Sequence, residues 1–265
     1  MIRTYGKAPY RVAVIHGGPG AMGSVVPMAH ELSRIAGVVE PLQSKFDIAG
    51  LIAELRDQLT RVGTGPMTLI GHAWGAWLSG LYAASYPDDV RQVVMVGCPP
   101  LDVEYARRVV ERRRLKMTQG EWVLFNGLLN RLDKPNENRN WLMEQLRVLL
   151  DKTDHYDLIH SGKHRFGKMP VNGDMFVAVW AEAEVLCESG ELLRRFKEIR
   201  CPLYMIHGDY DPRPMDGVTV PLQANNVPFK RYILPKCGHI PFREKHAAGP
   251  FYEILEEIIR GRAGR

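Results

Sequence analysis

Cysteine is scarce in this chain. Four stand among 265 residues, at Cys98, Cys187, Cys201 and Cys237, and no two form a C-x-x-C pair. That spacing argues against a zinc ribbon, a dithiol redox centre or a disulfide-built scaffold, and it predicts reduced thiols in a cytoplasm. Apolar runs long enough to span a bilayer are lacking, so no membrane partner is expected. No stretch near the start joins basic residues to a long apolar core, and no secretory leader is read. Internal repeats and low-complexity tracts are missing too. The formal charge is +5, with Arg107, Arg108, Arg112, Arg113, Arg114 and Lys116 crowded together. These cations have no aromatic residues interleaved among them, so the run reads as a solvated helix face, and no nucleic-acid partner is expected. No dinucleotide or P-loop fingerprint occurs, and the histidines lack the clustered spacing of zinc ligands. The expectation is therefore no cofactor and no metal. Hydrophobic content of 45% beside 25% charged residues is that of an ordinary globular protein. The length suits one large α/β domain or a domain with an insertion.

What is present is an alternation. Short apolar, mostly β-branched runs occur at residues 11–15, 38–39, 67–70, 92–96, 202–206 and 230–234. Such runs are the mark of buried parallel strands, about six of them, with one more edge strand at most from the first ten residues. Helical patterns lie between them. Ser24 reads as the cap of a helix bearing Met28, Leu32 and Ile35, stopped by Gly37. Asp47 caps a helix with Ile48, Leu51, Ile52, Leu55 and Leu59 on one face. After Trp74 come Gly75, Ala76, Gly80, Ala83 and Ala84, small residues that let a helix lie close to a sheet. The fold class predicted is α/β, a mainly parallel sheet with helices on both faces. Between 102 and 197 the strand pattern stops. Thr118-Gln119-Gly120-Glu121 is a capping box, and further helices are read from Asn136, Asn172 and Ser189. The organisation expected is a core of residues 1–101 and 198–265 with a helical lid, 102–197.

The stretch Leu69-Ile70-Gly71-His72-Ala73-Trp74-Gly75 is organised as strand, sharp turn, helix. Its glycines hold the G-x-S-x-G frame of a nucleophile elbow, in which the middle residue projects from strained backbone and its neighbours must be small. The middle residue is Ala73, and a methyl group cannot attack a carbonyl. Two later sites follow late strands: His207-Gly208-Asp209-Tyr210-Asp211-Pro212 and Cys237-Gly238-His239. Nucleophile, acid, histidine is a known chain order for hydrolytic triads. His239 titrates in the range a general base needs, and Asp211, favoured over Asp209, would fix its tautomer. Oxyanion donors would be the N–H groups of Trp74 and of Gly18 in the loop His16-Gly17-Gly18-Pro19-Gly20. His16, His72 and His207 read as structural residues.

Together, H-G-G-P-G at 16–20, G-H-A-W-G at 71–75, H-G-D-Y-D-P at 207–212 and C-G-H-I-P-F at 237–242 resemble the α/β-hydrolase superfamily, in particular its proline-iminopeptidase-like branch. The resemblance covers the two core halves and not the lid. It implies an α/β-hydrolase fold, the nucleophile's place at Ala73, a triad acid at Asp211, a triad base at His239 and an oxyanion hole at Gly18 and Trp74. Two departures stand out: Ala replaces Ser, and the N-terminal antiparallel strands are cut short.

Two functions are compatible with these residues. One is a hydrolase cleaving an ester or an amide or peptide bond, captured as a Ser-to-Ala variant at position 73 and inactive as given. The other is a natural non-catalytic member that binds or senses a ligand. The intact acid, base and oxyanion elements favour the first. Its partner would be a small molecule or short peptide, with the lid setting specificity. Glu182 and Glu184 lie on a helix returning to the core; each alone reads as a solvent-exposed helix charge, and one that faced the pocket would bind a substrate cation such as a free N-terminal amine.

Overall fold

The computed structural model describes residues 1–159 and 171–262; of the 102–197 segment, 160–170 lie outside the described residues. The first half alternates as expected: β1 (Ile2–Tyr5), β2 (Tyr10–Ile15), α1 (Val26–Leu32), β3 (Gly37–Pro41), α2 (Ile48–Val62), β4 (Gly63–His72), α3 (Trp74–Ser85) and β5 (Val90–Val96). The insertion carries α4 (Val103–Arg114), α5 (Gln119–Leu132), α6 (Arg139–Asp154), α7 (Gly173–Glu188) and α8 (Glu191–Phe196). Then follow β6 (Leu203–Gly208), α9 (Asp216–Ala224), β7 (Lys230–Leu234) and α10 (Ala248–Ile259).

Seven strands form one sheet in the order β1-β3-β2-β4-β5-β6-β7. The additional strand relative to the six apolar runs is β1, which pairs antiparallel with β3 at the edge. All other pairs are parallel. Side chains alternate across the sheet as the pleat requires. Ala13, Ile15, Val93 and Met95 join α2, α3, α8 and α9 on one face. Val12, Val14, Val94 and Val96 join α1 and α10 on the other. From β2 the chain moves outward to β3, then back past β2 to β4. The strand order reverses between β2 and β4, so the ends of these two strands open a crevice where ligands bind in such sheets.

Local signals held at several helix starts. The Asp47 carboxylate accepts from Gly50 N–H, Thr118 and Glu121 form the capping box, and Asn172 caps α7. Others did not. Ser24 makes no cap; α1 begins after Val25 with Pro27 in its first turn and ends at Leu32, short of Gly37. Asn138, not Asn136, caps α6, and Asn136 sits at φ 62°. Ser189 closes α7, and Gly190 at φ 74° opens α8. Helix α9 had no clear periodic signal, because Pro221 interrupts it and Val218 and Leu222 are its only long buried apolar residues. In the basic run, Arg107 and Arg108 are solvated, but Arg113 and Lys116 turn inward. Lys116 Nζ donates to the carbonyls of Thr153 at 2.8 Å and Tyr210 at 3.0 Å.

The insertion is not uniform. Helices α5 and α6 share a small core of their own, including Phe125, Leu128, Leu142 and Leu146. Helices α7 and α8 instead extend the main core through Met175, Val179, Ala183 and Phe196. Among the bonds by which the insertion reaches the sheet's C-terminal edge, Asn172 N–H donates to Gly20 O at 3.0 Å, and Asp154 O accepts from His239 N–H at 2.7 Å.

Glycines set how closely these layers approach. A Cβ on Gly80 would stand 2.3 Å from the Phe196 ring, whereas one on Gly127, within α5, meets nothing within 4 Å. Gly80→Ala should therefore destabilise the fold by about 1–3 kcal/mol through overpacking. Gly127→Ala should stabilise it by about 0.5–1 kcal/mol through helix propensity. Urea unfolding midpoints of the two variants should move in opposite directions.

Candidate active site

The elbow is built by close backbone contact. A Cβ on Gly71 would lie 2.1 Å from Gly75 O, and one on Gly75 would lie 2.3 Å from Ile15 O. Only glycine permits either approach. Between them Ala73 adopts φ 49°, ψ −119°, a conformation that L-residues rarely take. Holding it costs about 1–3 kcal/mol, and the Ala73 N–H bond to Val96 O at 2.9 Å helps pin it. Trp74 is the first residue of α3, so its N–H has no acceptor within the helix. Its indole N–H donates to Gln43 Oε1 at 3.1 Å. Gly18 has φ 46° in the loop after β2, and a Cβ on neighbouring Gly17 would stand 3.4 Å from Ala73 Cβ. The glycine loop therefore lies directly against the elbow.

His239 and Asp211 meet from the ends of β7 and β6. His239 Nδ1 lies 2.8 Å from Asp211 Oδ2, and both residues are buried. Asp209 is exposed and accepts from Cys237 N–H at 3.3 Å. Burial would raise the Asp211 carboxyl, but the His239 contact and the Arg213 guanidinium outweigh it and hold it far below the usual range. An ionised carboxylate only accepts, so Nδ1 carries the proton and Nε2 keeps its lone pair. Burial, reinforced by Arg213, pushes the imidazole down, which keeps it neutral and basic near pH 7. The ring sits beside the elbow: its centroid is 4.7 Å from that of His72, and His72 Nε2 donates to His239 O at 3.0 Å. Gly97 makes room for it, since a Cβ there would be 2.8 Å from His239 Nδ1.

Several residues of the site carried no sequence signal. Arg213 lies two positions after Asp211, and its N–H donates to Asp211 Oδ1 at 3.0 Å. Adjacency was the only clue to it. Asp154 and Glu244 had none. Glu244 is fully buried and accepts from the N–H groups of Gly238, Tyr156 and Asp157 at 2.8–3.0 Å. It thereby ties the His239 loop to the end of α6. His207 Nε2 donates to Arg213 O at 2.9 Å, a loop-orienting role. The two acids read as cation-binding have other contacts: Glu182 Oε2 accepts from Ile48 N–H at the start of α2, and Glu184 Oε1 accepts from Trp180 Nε1, both at 2.8 Å.

The buried imidazoles make stability depend on pH. Burial pushes His16 down to about 4 and also lowers His72 and His239. In the unfolded chain each returns to about 6.5. A base depressed by folding stabilises fully above its unfolded value and loses that contribution as pH falls toward the folded one. His155 works the other way: Asp151 and Glu244 outweigh its burial and raise it, so its contribution is retained in acid. The three depressed imidazoles outnumber it. Urea midpoints should fall between about pH 7.5 and about pH 5; a flat profile would contradict the buried neutral set.

Comparison with known proteins agrees with this architecture. A model described as the alpha/beta hydrolase family matches residues 15–249. Over 57 residues the chain is 32% identical to epoxide hydrolase 4 of Mus musculus, a stretch covering 22% of this chain and 16% of that protein's length. The crystal structure of VinJ superposes with a TM-score of 0.69 at 17% identity, over 98% of this chain and 94% of that one. The proline iminopeptidase of Mycobacterium smegmatis does so with a TM-score of 0.63 at 12% identity, over 98% and 94%. At such identities the structural likeness speaks for fold alone. The family match runs from the last residue of β2 past β7 and takes in the elbow and the Asp211 and His239 loops, and the chain belongs to the α/β-hydrolase family.

Proposed function

We propose that this chain is the scaffold of a serine hydrolase acting on an ester or an amide or peptide bond, with alanine standing where the nucleophile belongs. The observation that carries this reading is the 2.8 Å contact between His239 Nδ1 and Asp211, set beside an elbow whose tip residue is held at φ 49°. A hydroxyl at position 73 would give its proton to His239 Nε2 while its oxygen attacks the substrate carbonyl. Asp211 would stabilise the imidazolium, which then protonates the leaving group. The N–H groups of Trp74 and Gly18 would receive the developing oxyanion. Residues 102–197 act as the lid that selects the acyl and leaving groups, and the substrate is a small molecule or short peptide. The four thiols, none in a disulfide, suit a reducing cytoplasm.

Ala73 itself favours a second reading, a natural ligand-binding or sensing protein that has kept the pocket. The Ala73→Ser protein separates the two. It should label with a fluorophosphonate and hydrolyse a nitrophenyl ester or an arylamide. The gain should be large, because loss of the serine in a comparable triad costs roughly 10⁶ in turnover. Adding His239→Ala should abolish it. A well-folded Ala73→Ser protein that neither labels nor turns over would leave the binding reading.

The substrate class is open to a second experiment. An amine-binding role for Glu182 or Glu184 has to compete with their bonds to Ile48 N–H and Trp180 Nε1. If one of them reads a free N-terminal amine, the Ala73→Ser protein should cleave an amino-acyl arylamide at least tenfold faster than its N-blocked form, about the discrimination of one charge-assisted hydrogen bond. Equal turnover would assign the site to simple esters or amides.

A further inference from the structure

Asp211 has a cationic neighbour besides the neutral His239 ring. Arg213 Nη1 lies 3.3 Å from Asp211 Oδ1 and 3.0 Å from Asp154 Oδ2. Asp154 ends α6, within the insertion. It is held in turn by Arg113 of α4, with Nε 2.9 Å from Oδ1 and Nη2 2.5 Å from Oδ2. The result is a buried chain of alternating charge: Asp211, Arg213, Asp154, Arg113. The side chains of Arg213 and Arg113 are only 17% and 13% exposed. The same Asp154 accepts the His239 N–H on its own carbonyl at 2.7 Å. One residue of the insertion thus holds the histidine through its main chain and, through Arg213, the acid through its side chain.

We propose that Arg213 and Asp154 are positioning residues for the acid–base pair: through them the inserted helices keep the Asp211 carboxylate and the His239 ring in register, so the pair is correctly set only when α4 and α6 are seated on the core. The inference rests on the reading of His239 and Asp211 as that pair. Its physical basis is the shared guanidinium. Without Arg213, Asp211 and Asp154 would be two buried carboxylates with one fewer counter-charge, and Asp154 would lose its link to the core. Without the Asp154 carboxylate, Arg213 would have Asp211 alone and could draw it away from Nδ1.

The two residues pull on His239 in opposite directions. Burial lowers the imidazole first; Arg213 lowers it further, while Asp211 and Asp154 raise it. The other groups facing the ring or its loop are His72 from the elbow, His207 near Asp211 Oδ2 at 3.7 Å, and Glu244 beneath Gly238. This opposition distinguishes positioning by charge from mere support. A loosened structure would admit water and move His239 up toward its ordinary value whichever residue was changed.

The test is an NMR titration of His239 in the Ala73 protein, with its signals identified by their loss in His239→Asn. Arg213→Gln should raise the midpoint and Asp154→Asn should lower it, each by about half a pH unit or more. Arg213→Lys, which keeps the charge, should stay near the parent, as should Arg194→Gln on the exposed face of α8. If both variants move the midpoint the same way, or neither moves it, the proposal is wrong. Should Arg213→Gln fail to fold, the near-isosteric Asp154→Asn decides by its sign. In the Ala73→Ser background both changes should lower kcat by roughly tenfold to a hundredfold with little change in KM. An unchanged kcat in active protein would also overturn the proposal. If Ala73→Ser is inert toward every ester and arylamide, the hydrolase reading fails, and the titration of the Ala73 protein still decides the positioning role.

Discussion

A negative charge at Asp211, 2% exposed, has to be compensated from within the protein. Isolated in an apolar interior, a carboxylate would take up a proton, and His239 would lose the acceptor that fixes its tautomer. Compensation here comes from His239 Nδ1, the Arg213 main chain and the Arg213 guanidinium together. Much of the surrounding chain follows from that need. The β6–α9 loop folds back so that one of its residues, Arg213, serves the carboxylate through both its main-chain N–H and its guanidinium. His207 anchors the same loop through Arg213 O. The insertion supplies Asp154, because Arg213, itself buried, requires more than a half share of one anion.

The second constraint is steric. The elbow works only where β2, β4 and α3 come within backbone contact, and Gly71 and Gly75 are the residues that allow it. The reversal of strand order between β2 and β4 brings the glycine loop to the same point. Gly97 and Gly208 do the corresponding work at the ends of β5 and β6: a Cβ on the first would strike the His239 ring, and one on the second would strike Cys237 O at 2.2 Å. The Asp211–His239 pair and the elbow therefore share one edge of the sheet, with glycines wherever side chains would separate them.

The insertion is tied into the site more firmly than a simple cover. The end of α6 and the segment after it are bonded to the His239 loop through Asp154 O, Ile159 N–H and the Glu244 carboxylate. Asn172 meets Gly20 on the opposite side of the elbow. Helices α5 and α6 share a separate small core, so a change in their seating would be felt at the Asp211 and His239 loops.

Much of this was legible in the sequence. Short apolar, mostly β-branched runs marked the six parallel strands, because burial on both faces leaves few other residues able to fill them. Glycine spacing marked the elbow, because backbone contact excludes every side chain. Chain order marked Ala73, Asp211 and His239, and the side-chain oxygens of Asp47, Thr118 and Asn172 announced helix starts through purely local bonds. Strand β1 was too short and too polar to count, and the caps of α1, α6 and α8 went to neighbouring residues because tertiary packing overrode weak local preference. The inward turn of Arg113 and Lys116 was invisible because a helix face shows its charge in sequence but not what stands opposite. The sequence by itself determined the sheet, the elbow and which acid and histidine meet beside it, Asp211 and His239, since each depends on residue type at fixed spacing. Only the tertiary structure decided which charges neutralise that pair, since Arg113, Asp154, Arg213 and Glu244 are drawn from distant segments, and the cost of burying charge is met by whichever counter-ions folding brings within reach.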